Sequence, residues 1–218
     1  MLEAASIAAH IRASLAAAAP RATPYRHWLP QAILPVPVLD ALDALPLAPP
    51  AIADTAGRRE THNAARQFFG MAERASFPVY DALAHALQSP ETTAALAAHC
   101  GARLRGTSLR IEYCLDTDGF WLEPHTDIGA KLFTMLIYLA DPPPGEAWGT
   151  DLYASPTQHV GTAPCARNQG LIFIPGPDTW HGFERRRITG TRRSLIVNYV
   201  TSEWRARHEL AFPQQAVS

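Results

Sequence analysis

Several features are missing from this chain of 218 residues, and each absence excludes a class of protein. No stretch approaches the roughly 18 consecutive apolar residues of a membrane-spanning helix. The formal net charge is only −1, so no strong field attracts the chain to nucleic acid or to anionic membranes. Its three cysteines, Cys100, Cys114 and Cys165, show no C-x-x-C spacing, which argues against a disulfide framework or a zinc knuckle. We therefore expect a protein of a reducing compartment, the cytoplasm, with no membrane or nucleic-acid partner.

Lysine is also nearly absent. Lys131 stands alone against 18 arginines, which is typical of a GC-rich genome and leads us to expect a bacterial origin. The Ala-rich start carries charged residues where an export signal needs an uninterrupted apolar run, so we expect no such signal. Alanine is unevenly distributed, with 29 in residues 1–102 and 9 after them. We predict one domain with a helical N-terminal layer at 1–102, a core at 103–205 and a tail at 206–218.

The N-terminal layer is predicted from helical periodicity. Ile7, Ile11 and Leu15 recur every four residues and form a narrow apolar stripe, and a proline follows the helix at position 20. Another helix begins with Ser89 as N-cap and ends at Gly101. The other predicted helices span 38–45 and 77–87, residues 27–34 can supply one short strand, and residues 46–61 are predicted to form a surface loop.

The C-terminal half has the pattern of strands. After residue 103 the segments become short, β-branched and aromatic, and Pro- or Gly-rich turns separate them. Short strands at this spacing, with little helix between them, indicate an antiparallel sandwich or barrel. The predicted strands are 107–115, 119–126, 132–140, 150–154, 157–160, 170–174, 180–186 and 192–200. With a helical layer over one outer face, the predicted fold class is α+β.

One group of residues has the spacing of metal ligands. His125 and Asp127 alternate on an extended segment and therefore face the same side, and His181 follows a later strand. Two histidines and one carboxylate are the ligand set of non-heme Fe(II) oxygenases, which leaves coordination positions open for substrate and O₂. Composition alone predicts roughly 0.8 H-x-[DE] matches in such a chain, so a structural role for the histidines is the alternative.

The last predicted strand carries a pair suited to a carboxylate. Arg192 and Ser194 lie two residues apart, so they share one face, and a fixed guanidinium beside a hydroxyl can bind a carboxylate. Arg193, Leu195 and Val197 share the opposite face. We predict that Leu195 and Val197 pack under the helices, with Arg193 at the edge of that layer.

These residues belong to motifs that resemble, in the same order, those of the Fe(II)/2-oxoglutarate-dependent oxygenases, and most of all their prolyl-hydroxylase-like branch. Residues 123–127 (EPHTD) resemble its E-P-H-x-D motif, and 133–139 (FTMLIYL) resemble its T-x-x-x-Y-L strand. Residues 170–173 (GLIF) resemble the strand before the distal histidine, and 190–194 (GTRRS) resemble its G-x-R-x-S motif. The resemblance spans 109–205. It implies a double-stranded β-helix core, the jelly-roll shape of cupin-like proteins.

The resemblance also implies site residues. The Fe(II) ligands that it implies are His125, Asp127 and His181. The 2-oxoglutarate ligands that it implies are Arg192, Ser194, Tyr138 and Tyr113. In this assignment the arginine pairs with the far carboxylate, and the hydroxyl groups donate hydrogen bonds. Lys131 stands where relatives often carry arginine near the substrate mouth, and Asn198 stands where an aromatic residue is frequent.

The implied function is that of a dioxygenase. It would use Fe(II), 2-oxoglutarate and O₂ to hydroxylate a C–H bond of an unidentified small molecule or peptide, with release of succinate and CO₂. One alternative is a nucleic-acid demethylase with the same iron chemistry, although Arg185-Arg186-Arg187 and the arginines at 192 and 193 are the main basic cluster in a nearly neutral chain. The other alternative is a non-catalytic jelly-roll sensor of a metal or small molecule. A sensor has no need for both residue sets, which argues against it.

Overall fold

A computed structural model of the protein describes residues 2–58 and 65–218. Its helices are α1 (Ala4–Ala17), α2 (Val36–Asp43), α3 (Met71–Ser76), α4 (Pro78–Gln88) and α5 (Pro90–Cys100). Its strands are β1 (Pro20–Arg21), β2 (His27–Trp28), β3 (Arg66–Phe68), β4 (Ser108–Asp116), β5 (Leu122–His125), β6 (Lys131–Tyr138), β7 (Asp151–Ser155), β8 (Gln158–Thr162), β9 (Gly170–Phe173), β10 (His181–Phe183) and β11 (Arg192–Val200). A 3-10 turn follows at Arg207–Glu209. The predicted α+β class is confirmed.

The helices form where the apolar stripes and caps predict them. The stripe of α1 is buried against the rest of the helical layer. Ser89 caps α5 by accepting a hydrogen bond from the Thr92 N–H at 3.2 Å, and Gly101 ends it in the left-handed region at φ +76°. The helices share one large apolar cluster with the outer face of a sheet. No helix in the described part of the chain is long and apolar enough to cross a membrane.

The strands form two antiparallel sheets. The larger has the order β1-β2-β9-β6-β11-β4-β3, and the smaller has the order β5-β10-β7-β8. Each of the eight strands predicted after residue 103 is present, with ends that differ from the predicted ones by a few residues. Leu136 of β6, Ile196 of β11 and Leu152 of β7 belong to one buried cluster, so the inner faces of the two sheets pack together. This arrangement is that of the predicted jelly-roll core.

The two faces of β11 are those predicted from its alternation. Leu195 and Val197 are fully buried in the cluster that contains the helices. Arg193 lies at the edge of that layer and donates a hydrogen bond to Asp43 of α2 at 2.7 Å. Arg192 and the Ser194 hydroxyl therefore face the space between the sheets. The register of the last strand is the predicted one.

Two segments contribute more than their sequence indicates. Residues 1–102 form both edges of the larger sheet, since β2 pairs with β9 and β3 pairs with β4. Helix α3 also goes beyond the predicted helices. The C-terminal segment is not a free tail, because Leu210 and Val217 are buried and the Val217 N–H donates to the Thr107 carbonyl at 2.8 Å.

The predicted surface loop covers one end of the smaller sheet. Residues 46–58 contain no helix or strand, and 59–61 lie outside the described residues. Ile52 is buried in an apolar cluster with Phe120 and Phe183. The Trp121 N–H donates to the Thr55 hydroxyl at 2.9 Å. The loop therefore packs against the β4–β5 hairpin rather than projecting into solvent.

Candidate active site

Three side chains that could hold a metal ion meet beside β5 and β10. His125 ends β5 and His181 begins β10, and the antiparallel register places these two residues opposite each other. Their ring centroids are 4.4 Å apart. Asp127 follows β5 by two residues, and one ligand atom from each of the three side chains lies within 4.8 Å of the others. The structure thus brings together the three residues predicted as metal ligands.

Both imidazoles are oriented by backbone carbonyl groups. His125 Nδ1 lies 2.8 Å from the Glu123 oxygen, and His181 Nδ1 lies 2.9 Å from the Thr179 oxygen. Because a carbonyl oxygen only accepts, Nδ1 is the protonated nitrogen and Nε2 carries the free lone pair. Burial lowers the pKa of His181 to about 4, so this ring is neutral at neutral pH. A neutral imidazole is the form that binds a metal ion.

The carboxylate of Asp127 is held by two neighbours. Lys131 Nζ donates to Oδ1 at 2.6 Å, and the Thr134 hydroxyl donates to Oδ2 at 2.7 Å. Burial raises the pKa of Asp127, but the Lys131 ammonium, His181 and these hydrogen bonds outweigh it and bring the pKa to about 2. The group is therefore an ionised ligand at neutral pH. Two imidazole nitrogens and one carboxylate fit a divalent iron of the non-heme type.

Arg192 lies inside the molecule, at a cavity of about 350 Å³ that the metal-ligating residues also line. It is 3% exposed. Its Nε donates to the Trp148 carbonyl at 2.7 Å, and its Nη1 donates to the Asp116 carboxylate at 2.5 Å. Asp116 is fully buried. The guanidinium is thus fixed by two acceptors. The sequence did not predict the carboxylate of Asp116 as one of them.

The two hydroxyl residues predicted to accompany Arg192 are buried near it, although neither lines the cavity. The Tyr138 hydroxyl donates to the Thr150 hydroxyl at 2.9 Å and accepts the Thr150 N–H at 3.1 Å. Burial raises the pKa of Tyr138, so it stays a neutral phenol. The Ser194 hydroxyl is buried and has no hydrogen-bond partner among the described residues. A buried hydroxyl without a partner is costly, and a ligand carboxylate beside Arg192 would satisfy it.

The position of Tyr113 corrects the prediction that it reaches the cosubstrate. Tyr113 belongs to the apolar cluster under the helices, on the face of the sheet opposite to the cavity. On β4 the residues that face the cavity are the even-numbered ones, among them Glu112, and Tyr113 has the opposite parity. Because the β4–β5 hairpin is long, the position of β4 relative to the H-x-D motif cannot be aligned to the exact residue from sequence, and the face of Tyr113 depends on that alignment. Tyr113 is not part of the site.

The arginine run after β10 is occupied by ion pairs. Arg185 pairs with Asp54 at 2.8 Å, and Arg186 pairs with the fully buried Asp151. Arg187 is exposed. Since none of the three lines the cavity, the run has a structural explanation that does not involve a substrate.

Opposite Arg192, the cavity has a wall of paired charges that sequence reasoning missed. Arg66 of β3 donates to Glu112 at 2.6 Å, and Arg110 donates to Glu112 at 3.1 Å. All three side chains line the cavity, and Arg110 and Glu112 are at most 2% exposed. Arg110 and Glu112 alternate with apolar residues on β4, a pattern that signals inward-facing charges.

This charged wall is joined to the metal-ligating group by hydrogen bonds. Arg110 Nη1 donates to the Asn198 side-chain oxygen at 3.1 Å, and Asn198 Nδ2 contacts the Thr134 hydroxyl at 3.0 Å. That hydroxyl in turn donates to Asp127. Asn198, which stands where an aromatic residue is frequent, therefore connects the wall to the carboxylate ligand.

No protein-family model and no curated protein sequence matches this chain. Solved structures do match it. A prolyl 4-hydroxylase of Phytophthora capsici has a TM-score of 0.60 at 13% identity, over 94% of this chain and 68% of that one. A prolyl hydroxylase of Trichoplax adhaerens, in complex with a hypoxia inducible factor peptide fragment, has a TM-score of 0.58 at 12% identity, over 93% of both chains. A Pseudomonas putida prolyl-4-hydroxylase has a TM-score of 0.55 at 16% identity, over 89% of this chain and 94% of that one. The chain therefore has the fold of the prolyl hydroxylases.

Proposed function

We propose that the protein is a non-heme Fe(II) and 2-oxoglutarate-dependent dioxygenase that hydroxylates a C–H bond and releases succinate and CO₂. The observation that carries this proposal is the convergence of His125, Asp127 and His181, with ligand atoms within 4.8 Å, at a cavity that also contains a buried arginine. Three protein ligands leave coordination positions for a cosubstrate and O₂. Bound iron would supply the oxidative chemistry, and the protein supplies its ligands and a shaped cavity.

The residues around Arg192 account for cosubstrate binding. The guanidinium binds the far carboxylate of 2-oxoglutarate, and the Ser194 hydroxyl donates to the same group. Apolar side chains of β6, β10 and β11 line this part of the cavity, namely Leu136, Phe183 and Ile196. They exclude water from the arginine, which strengthens its charge-assisted hydrogen bonds.

The charged wall bears on the choice of substrate. Arg66, Arg110 and Glu112 present paired charges to the side of the cavity away from Arg192. Buried charges are costly to place in an apolar environment, and they favour a ligand that carries polar groups of its own. We therefore propose a polar substrate, either a small molecule or a polar side chain of a peptide.

The test is turnover of the cosubstrate. Full-length protein is loaded with Fe(II), supplied with 2-oxoglutarate and O₂, and assayed for succinate without any further substrate. Zn²⁺ and Ni²⁺ bind more tightly than Fe²⁺, so the metal that copurifies must first be removed. We expect slow succinate formation that His125→Ala abolishes. The control is His10→Ala, which changes an exposed histidine on α1.

Two outcomes would contradict the proposal. If the wild type forms no succinate above the metal-free sample, the protein does not turn over 2-oxoglutarate. Binding of 2-oxoglutarate to the metal-loaded protein without any succinate would favour the sensor alternative. If His125→Ala retains the wild-type rate, the metal is bound elsewhere.

A further inference from the structure

The proposed cosubstrate arginine has a buried partner on the neighbouring strand. Arg192 and Asp116 are paired residues in the antiparallel register of β11 and β4. Asp116 is 0% exposed, and its carboxylate accepts from Nη1 at 2.5 Å. The second acceptor, the Trp148 carbonyl, takes the Nε hydrogen at 2.7 Å. The guanidinium is thus held at two of its three nitrogens.

The two contacts of the Arg192 guanidinium determine which of its N–H donors remain available to a ligand. A guanidinium has five N–H donors in one plane. Two are engaged, and the remaining three, on Nη1 and Nη2, have no acceptor among the described residues. The ring of Phe183 lies 4.8 Å from the guanidinium carbon, and that of Tyr138 lies 5.8 Å from it. A carboxylate therefore binds in the plane, at the edge formed by Nη1 and Nη2.

We infer that Asp116 is a positioning residue that fixes the Arg192 guanidinium at a set distance from the metal ligands, so that the cavity selects its oxo acid by chain length. The inference rests on the proposed function. A 2-oxo dicarboxylate must reach the metal with one end and the guanidinium with the other. Because neither end of the site can shift, acids one carbon shorter or longer than 2-oxoglutarate bind with one end misplaced.

A purely structural role for Asp116 makes a different prediction. If the carboxylate only neutralises a buried arginine, its removal lowers stability and leaves an uncompensated positive charge, which attracts every dicarboxylate more strongly. A positioning role predicts weaker binding, because the freed guanidinium must then be immobilised by the ligand. It also predicts that discrimination between chain lengths is lost. Chain-length selectivity therefore separates the two roles.

The experiment measures binding rather than turnover. Full-length protein is loaded with Zn²⁺, which supports no oxidation, and titrated calorimetrically with oxaloacetate, 2-oxoglutarate and 2-oxoadipate. We expect Asp116→Ala to weaken 2-oxoglutarate binding about fivefold. We also expect its preference for 2-oxoglutarate over the two other acids to fall by a similar factor. Asp116→Asn keeps an acceptor oxygen at the same place, so its selectivity should stay close to that of the wild type.

The matched control is Asp118→Asn, on the same hairpin. Asp118 is exposed and accepts the Ile188 N–H at 3.1 Å, whereas the acceptors of the Arg192 guanidinium are Asp116 and the Trp148 carbonyl. Its selectivity should equal that of the wild type. Thermal unfolding of each variant shows whether it is folded, and Asp116→Asn provides the comparison if Asp116→Ala is not.

The results distinguish the positioning role of Asp116 from the proposed dioxygenase function. Tighter binding of all three acids by Asp116→Ala, or unchanged selectivity, would overturn the positioning role and leave the proposed function in place. If Asp116→Ala is unfolded, tighter binding of all three acids by Asp116→Asn would overturn it, since that variant removes the charge but keeps the acceptor. Failure of the wild type to bind 2-oxoglutarate would overturn the proposed function and this inference with it.

Discussion

Two buried arginines, Arg110 and Arg192, line the same cavity, and they differ in how many of their N–H donors are already engaged by the protein. Arg110 donates to Glu209, Glu112 and Asn198. Its guanidinium carbon lies 4.8 Å from the centre of the Phe68 ring and 4.7 Å from that of Trp204. The guanidinium of Arg192 donates to one carboxylate and one carbonyl. Both residues are at most 3% exposed. Burial therefore does not distinguish the two arginines, whereas the donors that remain on Arg192 do, and these support its proposed role.

The comparison has an electrostatic side as well. Arg110 is next to two carboxylates, those of Glu112 and Glu209, and these charges raise the pKa of its guanidinium despite the opposing effect of burial. An arginine so fully compensated gains little from a further anion. Arg192, with one carboxylate partner, can still gain from a second one. The two ends of the cavity thus have different tasks, and variants at each end test this division.

The largest effect is expected from Arg110→Met, which keeps an apolar stem and removes the charge. Glu209 loses its buried partner, while Glu112 keeps Arg66, so we expect a loss of about 3 kcal/mol in the free energy of unfolding. Urea denaturation measures it, and Arg103→Met, an exposed residue ahead of β4, should stay within about 0.5 kcal/mol. If Arg110→Met is as stable as the wild type but binds 2-oxoglutarate poorly, the roles of the two arginines are reversed.

Arg192→Lys should act on the cosubstrate instead. An ammonium cannot reproduce the planar fork, so we expect the 2-oxoglutarate requirement to rise at least about tenfold, equivalent to about 1.4 kcal/mol. The neighbour Arg193 faces the helices and pairs with Asp43, so Arg193→Lys should leave the requirement nearly unchanged. Steady-state succinate formation at varied 2-oxoglutarate gives both values. A larger effect at Arg193 would place the wrong face of β11 in the cavity.

Two buried tyrosines on opposite faces of the larger sheet give the next effect. Tyr138→Phe removes a hydroxyl that contacts Thr150 at the cavity wall, and we expect the 2-oxoglutarate requirement to rise about fivefold, the value of one hydrogen bond of about 1 kcal/mol. Tyr113→Phe should leave it within about twofold and lower stability by up to about 1 kcal/mol, since this phenol lies under the helices and away from the cavity. If Tyr138→Phe and Tyr113→Phe raised the 2-oxoglutarate requirement equally, the placement of Tyr113 under the helices would be contradicted.

The features that the sequence predicts are those with local periodicity or fixed spacing. The parity of β11 places Arg192 and Ser194 on the inner face without knowledge of any partner. The H-x-D spacing places His125 and Asp127 on one side of the extended segment at the end of β5. Parity also explains the error at Tyr113. The face of β4 to which Tyr113 is assigned depends on how many residues are counted in the hairpin between β4 and β5. An error of one residue in that count moves the side chain to the opposite face of the sheet.

The charged wall and the partner of Arg192 could not be predicted because their residues are far apart in the chain. Arg66 and Glu112 are 46 residues apart, Arg110 and Glu209 are 99 apart, and Arg192 and Asp116 are 76 apart. Alternation shows that Asp116 faces inward but not which strand it meets. That pairing depends on the order β11-β4 in the sheet, which is a tertiary property.

The smallest effect is expected at the arginine run, a third group of arginines that lies outside the cavity. Arg185 forms an exposed ion pair with Asp54, and such pairs contribute about 0–1 kcal/mol. Arg185→Ala should therefore change the free energy of unfolding by less than about 1 kcal/mol and leave succinate formation at the wild-type rate. The chain as a whole should also bind nucleic acid weakly. Because Arg185 is paired with Asp54 and the net charge is −1, we expect its affinity for mixed-sequence duplex DNA at physiological salt to be weaker than the usual non-specific range of roughly 10⁻⁴ to 10⁻⁶ M. Fluorescence anisotropy with labelled duplex at several salt concentrations measures this. A steep salt dependence that disappears when Arg185, Arg186 and Arg187 are neutralised would mean that this run contacts phosphate groups. The nucleic-acid demethylase would then replace the polar small-molecule or peptide hydroxylase as the best account of the site.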